Sequence, residues 1–420
     1  MSTTAPPRTI STRYDATTST VAPVPPARER LVSLDVFRGI TIAGMLLVNN
    51  PGTWSAIFPP LEHAEWNGWT PTDLIFPFFL FIVGITTHLS LSARRARGDD
   101  DSALVKQILR RGIIIYLLGF AMAMFPFYQW GTIQSLPNAT AWDRIVYRIE
   151  HVRLLGVLPR IAIVYICAGL LTLRTSLRQQ IIIIASLLFG YWFAMTLLPV
   201  PGENAIGAQL LNTHDRNLAA YLDRLILTTN HTWTGSVTFD PEGPFSTLPA
   251  IATAMLGVIA GTWIARKDKQ LLERISGLFA AGAIGMVVGL MWNWSFPINK
   301  NLWTSSYVVF TAGMACVTLA TVMWIVDYVG VKWWTKPFVV YGVNPIVAFV
   351  GSGVLARLIY TLWHVDYHGK SVAVQDAIYQ AVFLPWLPPR VASLAFALSF
   401  VLLWYGILLV MYRRKIILKV

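Results

Sequence analysis

Charge is what this 420-residue sequence has least of. Asp, Glu, Lys and Arg together make up 13% of it, against roughly 25% in an ordinary soluble domain, while 55% is hydrophobic and the mean hydropathy is +0.55. Cysteine is scarcer still. Cys167 and Cys316 lie far apart, each inside an apolar run, which argues against a disulfide framework or a thiolate metal site and for simple packing. There is no phosphate-binding glycine loop, no dinucleotide fingerprint and no His-x-x-x-His pair, so neither nucleotide hydrolysis nor a metal cofactor is expected. Residues 1–30 are rich in Ser, Thr, Pro and Arg but lack the apolar centre of a signal peptide, and they read as a disordered cytoplasmic tail.

Long apolar runs are what the sequence has instead. One helical crossing of a bilayer needs roughly 20 apolar residues. Such runs recur at about 34–54, 73–93, 108–128, 155–173, 180–198, 247–266, 277–295, 303–327, 338–362 and 391–412. The fold class expected is therefore an all-α polytopic membrane protein of about ten transmembrane helices, with residues 31–420 forming one transmembrane domain. The net charge of +12 is not a nucleic-acid footprint, because Lys and Arg bunch in short connectors such as ARRARGDD, RKDKQLLERIS, VKWWTKP and the terminal RRKIILKV. By the positive-inside rule these connectors and both termini are cytoplasmic. The longer connectors, at about 55–72, 129–154, 199–246 and 363–390, then face the other side and carry Trp, Asn, Asp and His. The pairs Gly257/Gly261 and Gly285/Gly289 read as close-packing devices between helices.

Two stretches carry chemistry. The first span begins SLDVFRGITIAGMLLVNNPG, with Asp35 and Arg38 three residues apart and able to pair on one face. Asn49 follows Arg38 by eleven residues, almost three turns and about 16 Å, so Arg38, Ile42, Met45 and Asn49 share a stripe. An arginine at one end and an amide deep along the same stripe suit a long ligand with phosphates at its tail, the shape of coenzyme A. The second stretch is HAEWNGWTPTDLIFPFFLF. Pro59 and Pro60 stop any helix before His63, and Pro71 suits the first turn of the next one. An imidazole on such a loop can serve as a general base near neutrality, with Asp73, ten residues on, able to orient it.

Read in order, SLDVFRG, HAEWNGWTPTDLIFPFFLFIVG, GVLPRIAIVY, FDPEGPFSTLPAI, PINKNLWTSSY and YGVNPI resemble the heparan-α-glucosaminide N-acetyltransferase family and its bacterial relatives, over roughly residues 31–412. The resemblance implies an integral-membrane acyltransferase that takes an acetyl group from cytoplasmic acetyl-CoA to an amino sugar or related glycan acceptor on the far side. It further implies a bacterial cytoplasmic membrane location and a homodimer. The family's reactive histidine matches His63, and the assisting asparagine of its first span matches Asn49. The sequence departs from the family at Pro159, where Gln is common, and in its short polar tail, where lysosomal members have a luminal domain and an extra helix.

The expected site follows. His63, Asn49 and Asp73 are catalytic, and Arg38 and Arg160 face the coenzyme's phosphates, with Met45 and Asn344 also on its side. Trp66, Asn67, Lys300, Asn301 and Trp303 line the acceptor pocket. Asp240 and Glu242 in FDPEG are expected to belong to a turn rather than to do acid–base work. The competing reading is a transporter or flippase whose intramembrane Arg and Asn grip an anionic or glycan substrate without acyl transfer.

Overall fold

The computed structural model describes residues 31–418, so the tail expected over residues 1–30 lies outside the described residues. Fifteen α-helices follow in chain order: α1 Val32–Asn49, α2 Pro71–Arg95, α3 Asp101–Met124, α4 Ala141–Glu150, α5 Val157–Arg174, α6 Leu177–Leu197, α7 Gly207–Leu210, α8 Leu218–Leu227, α9 Thr247–Ile264, α10 Leu271–Trp292, α11 Ser305–Met323, α12 Lys336–Val343, α13 Pro345–Arg357, α14 Val374–Ile378 and α15 Pro389–Arg413. The strands β1 His364–Tyr367 and β2 Lys370–Ala373 form an antiparallel hairpin with His364 opposite Ala373. Among the described residues ten helical segments are long and apolar enough to cross a membrane: α1, α2, α3, α5, α6, α9, α10, α11, α15, and α13 together with the π-helical turn Leu358–Leu362 that extends it. The remaining helices belong to the connectors.

The ends of several expected spans move, α3 starting at Asp101 rather than 108 and α10 at Leu271 rather than 277, and two of the shifts have a clear local reason. The first span stops at Asn49 rather than near residue 54, because Pro51 cannot continue the helical ladder. The expected span 338–362 is broken at Asn344, which adopts φ −123° and ψ 56° between α12 and α13. Pro345 supplies no N–H and pushes the residue before it out of the helical region. The crossing helix therefore begins at Pro345, and α12 is a short separate helix laid against α1.

Small residues set the distances between the central helices. At Gly84 of α2 and Gly257 of α9 a β-carbon would fall 1.9 Å from the Ala254 carbonyl oxygen and 2.0 Å from that of Phe81, so neither site has room for one. These contacts run in register, Phe81 with Gly257 and Ile85 with Gly261, so α2 and α9 are parallel and start at the same end. Gly282, Gly285 and Gly289 of α10 meet α11 around Gly313 and Phe310, and Gly39 of α1 meets Phe338 of α12. Close backbone approach of this kind is how helices gain contact in lipid, where no hydrophobic drive separates them from the tails. At the far end of α1, the Asp327 carboxylate accepts the Val32 N–H (3.1 Å) and Ser33 N–H (3.4 Å), satisfying two of the four donors a helix start leaves open.

The result is a bundle in which α1 ends, and α2, α5, α9 and α11 begin, at one face. Replacing Gly257 by Val is expected to cost about 1–3 kcal/mol through overpacking against Phe81. Gly190→Ala, where a β-carbon meets nothing within 4 Å, is expected to be neutral or mildly stabilising. Thermal unfolding of the two variants in one detergent checks the contrast, and equal melting temperatures would contradict this packing.

Candidate active site

The loop between α1 and α2 turns back into the bundle through one carboxylate. Asp73 sits in the first turn of α2 and its side chain is 1% exposed. Its Oδ2 accepts the backbone N–H groups of Ala64 and Thr70, both at 3.0 Å, and the Thr70 hydroxyl at 3.2 Å. This is a capping box, which satisfies helix-start donors and binds the loop to the helix. Oδ1 remains, and it meets His63 Nδ1 at 2.6 Å. A carboxylate can only accept, so Nδ1 carries a proton, and in the neutral imidazole the lone pair then belongs to Nε2. The His63 side chain is 49% exposed, so that lone pair is reachable from outside the fold.

Lys300 completes the group. Its Nζ lies 3.0 Å from His63 Nδ1, 3.1 Å from Nε2 and 3.6 Å from Asp73 Oδ1. No point in the ring plane is that close to both nitrogens without striking the carbon between them. The ammonium therefore stands over the ring face, and the in-plane lone pair of Nε2 is unspent. Burial lowers the Lys300 pKa, against the opposing pull of Asp73 and Glu242.

The loop that carries Lys300 is fixed from within: Asn299 Oδ1 accepts the Leu302 N–H at 2.9 Å, Thr304 Oγ1 accepts the Asn299 N–H at 3.0 Å, and Tyr191 donates to the Leu302 carbonyl at 2.6 Å. Trp303 in the same loop has φ 51°, a left-handed conformation that disfavours a bulky side chain. It is held there by Phe76 and Tyr307 edge-on, by a bond from its Nε1 to Thr253 at 3.1 Å, and by the Arg160 guanidinium 5.1 Å from its ring centre. Tyr307 in turn donates to the Asp73 carbonyl at 2.5 Å.

Beneath this lies a buried ionic cluster. Arg153 pairs with both Asp240 and Glu242, and Arg160, wholly buried, donates to Gly243 O and Ser246 Oγ. The turn expected at FDPEG is present, closed by Gly243 N–H to Asp240 O at 2.8 Å, but its two acids also anchor the cluster. Burial opposes ionisation of Glu242, yet Arg153 and Arg160 outweigh it and hold its pKa below the usual range. Asp223 accepts the Asp240 N–H at 3.0 Å, and burial, reinforced by the charge of Asp240, pushes its pKa up to about 7. Arg153, Asp223 and Tyr307 were not among the residues singled out from sequence. One signal was available: with only 21 acids in 420 residues, two of them two positions apart before an apolar span require a cation.

The other expected residues divide between the two ends. Asn49 is exposed at the last residue of α1 and its amide makes no hydrogen bond among the described residues, whereas Asn50 is buried and spends its amide on Leu46 O at 2.8 Å. Arg38 pairs with Asp35 at 2.7 Å near the opposite end of α1. Arg160 is not with it: it sits in the first turn of α5, at the His63 end, committed to Trp303 and the 243–246 turn. Ile42 and Met45 are 1% and 5% exposed, so the stripe between Arg38 and Asn49 is a packed seam and not an open groove. Asn344 is buried on the Arg38 side, where it donates to Ile416 O at 3.0 Å and accepts the Leu418 N–H at 3.1 Å. Trp66 is buried, donates to Leu211 O at 2.9 Å and has its face covered by His214, 4.1 Å away centre to centre. Asn67 ties together Asn212 (2.7 Å) and Asn299 (3.2 Å), while Asn301 is half-buried beside Lys300. Trp66, Asn67 and Trp303 thus hold the His63 and Lys300 loops in place, and Lys300 alone of the five expected acceptor residues touches His63.

A family model described as Heparan-alpha-glucosaminide N-acetyltransferase, catalytic, matches residues 30–289. Two curated proteins named heparan-alpha-glucosaminide N-acetyltransferase are similar to the chain: the human one at 28% identity and the mouse one at 29%, each over 93% of this chain. The chain spans 60% of the length of these relatives. A shorter stretch, 23% of the chain, is 26% identical to an uncharacterized 39.9 kDa protein in the amylase 3' region of Bacillus acidopullulyticus. The family match includes the His63 loop and the ionic cluster, while Lys300 lies beyond its end.

The raised pKa of Asp223 has a stability consequence with a definite sign. Between the ordinary carboxylate range and about 7 the folded chain keeps a proton that the unfolded chain gives up, so this group's contribution falls as pH rises through that window. Asp223→Asn keeps the acceptor for the Asp240 N–H and removes the titration. Its stability relative to the parent protein, read as melting temperature, is expected to rise from pH 5 to pH 7 and level off above. A pH-independent difference would contradict the assignment.

Proposed function

The chain belongs to the heparan-α-glucosaminide N-acetyltransferase family, and from that premise we propose that it is an integral-membrane N-acetyltransferase moving an acetyl group from acetyl-CoA to an amino-sugar or related glycan acceptor. The observation that carries this reading is the His63–Asp73 pair at 2.6 Å, whose Nε2 lone pair is left free by a lysine standing over the ring face.

The chemistry needs a nucleophile relieved of a proton and a donor for the developing oxyanion. His63 Nε2 takes a proton from the acceptor amine as its nitrogen bonds to the thioester carbonyl carbon. Asp73 steadies the imidazolium that forms, in the way a buried carboxylate supports a histidine base in other acyl transfers. The negative charge on the carbonyl oxygen is met by the unspent Asn49 amide or by the Lys300 ammonium. The C–S bond then breaks, and the proton held on His63 passes to the departing coenzyme A thiolate. A Lys300 charge beside the site also disfavours binding of an ammonium acceptor, so the free amine is the form selected.

Arg38 remains the proposed contact for the coenzyme's phosphates, at the opposite end of α1 from His63. With the N-terminus cytoplasmic, as the basic connectors favour, the donor would approach from the cytoplasm and the acceptor from the outer face. Because Ile42 and Met45 are packed, a thioester bound along α1 requires that seam to open. Arg160 lies at the His63 end against Trp303 and the 243–246 turn, so on this reading it supports that loop and Arg38 alone faces the phosphates.

Labelled acetyl-CoA offered with glucosamine tests the reading. His63→Ala is expected to abolish transfer while acetyl-CoA still binds, and Asp73→Asn to lower kcat by about 10²–10⁴-fold with little change in donor affinity. Movement of unmodified sugar without label transfer would replace this reading with transport, and full activity in His63→Ala would end the role given to that residue.

A further inference from the structure

The carboxyl end of α3 carries two arginines from different elements, and no acid accompanies them. Arg357 of α13 donates through Nη1 to the carbonyls of Met122 and Phe125, the latter at 2.7 Å. Arg148 of α4 donates through Nη2 to Ala123 O at 2.5 Å and through Nε to Met124 O at 3.3 Å. Both heads therefore converge on the same four-residue stretch of backbone, near enough for their like charges to act on one another.

A helix end of this kind presents roughly half a negative charge. Two guanidiniums bring two positive ones, so about 1.5 charges are left uncompensated. Nothing nearby makes up the difference. Residues 102–142, which include most of α3 and the whole connector to α4, contain no Asp or Glu, and neither does the stretch 345–363 that carries Arg357. On α4, Asp143 is spent on Thr140 and Glu150 lies two positions from Arg148, on another face. Neither arginine forms an ion pair among the described residues, and neither has a buried nitrogen left without a bond, so their remaining N–H groups reach accessible surface. Around them the large aromatics Trp130, Trp142 and Trp363 are 64%, 68% and 52% exposed, the pattern of side chains at the level of lipid headgroups.

We propose that Arg148 and Arg357 form a binding site for a phosphate-bearing group, in the first place the phosphodiester headgroup of a lipid in the leaflet on the His63 side. The planar fork of donors on each residue suits phosphate oxygens, and a phosphate supplies the missing charge. The site is independent of the acyl-transfer reading, and its test does not use activity.

Purified protein in neutral detergent is heated with phosphatidylglycerol, with inorganic phosphate, or with diacylglycerol as a phosphate-free control, and the melting temperature is followed against ligand concentration. Phosphatidylglycerol is expected to raise it in a saturable way and diacylglycerol not to. A rise with inorganic phosphate as well identifies a site open to soluble phosphate, and a rise with the lipid alone identifies a headgroup site. Arg148→Gln/Arg357→Gln is expected to abolish the shift. Arg148→Lys/Arg357→Lys, which keeps the charge over the α3 carbonyls if the Gln pair does not fold, is expected to weaken apparent affinity about tenfold. No shift with either phosphate probe, an equal shift with diacylglycerol, or an unchanged affinity in the Lys pair overturns the proposal.

Discussion

Asp73 does two things with one carboxylate, and the rest of the site depends on their being compatible. One oxygen closes the start of α2 by accepting from Ala64 and Thr70, and the other holds His63. The first fixes where the loop enters the bundle, and the second fixes which way the imidazole points and which nitrogen bears the proton. Because the cap belongs to a buried helix start, the histidine inherits the rigidity of the helix although it rides on an exposed loop. A solvated loop histidine would have no such constraint.

Rigidity has a second source below. The Asp73 backbone is tied through Tyr307 to α11, and Tyr307 packs edge-on against Trp303, which carries Arg160 on its ring, near the carboxylates fixed by Arg153. Burying charges costs several kcal/mol per ion unless they are paired, and here the direct pairing, Arg153 with Asp240 and Glu242, comes from connectors distant in the chain, while Arg160 keeps Nε and Nη1 without a hydrogen-bond partner. The strained backbone at Trp303 fits the same scheme. A left-handed tryptophan persists only where its surroundings over-determine it, and it places Lys300 over the His63 ring. The cluster is therefore best understood as the bed on which the Lys300 and His63 loops are set.

Much of the site was legible in the residues themselves. The apolar runs located the ten spans because crossing a bilayer is a matter of length and composition, which local sequence carries. The prolines around His63 announced a loop entering a helix, and Asp73 at the start of that helix was within reach to orient the imidazole, while the Thr70–Asp73 capping box that holds the carboxylate is a finding of the structure. What local rules did not reveal was partnership across the chain. Arg153 and Asp240, 87 residues apart, look like an ordinary loop cation and an ordinary turn acid until the fold brings them together. Arg160 and Arg38 look equivalent as intramembrane arginines, yet α5 and α1 run so that one lies at the His63 end and the other does not.

Periodicity, proline placement and helix caps act within a few residues, so the sequence by itself determined the spans, the loop at His63 and its tie to Asp73. Burial, charge pairing and the choice between adjacent groups arise only when distant segments meet. That is why tertiary structure alone decided that Lys300 stands over the imidazole, that Trp66 and Trp303 are supports, that the stripe on α1 is closed, and that Asn49, not Asn50, keeps an amide to offer.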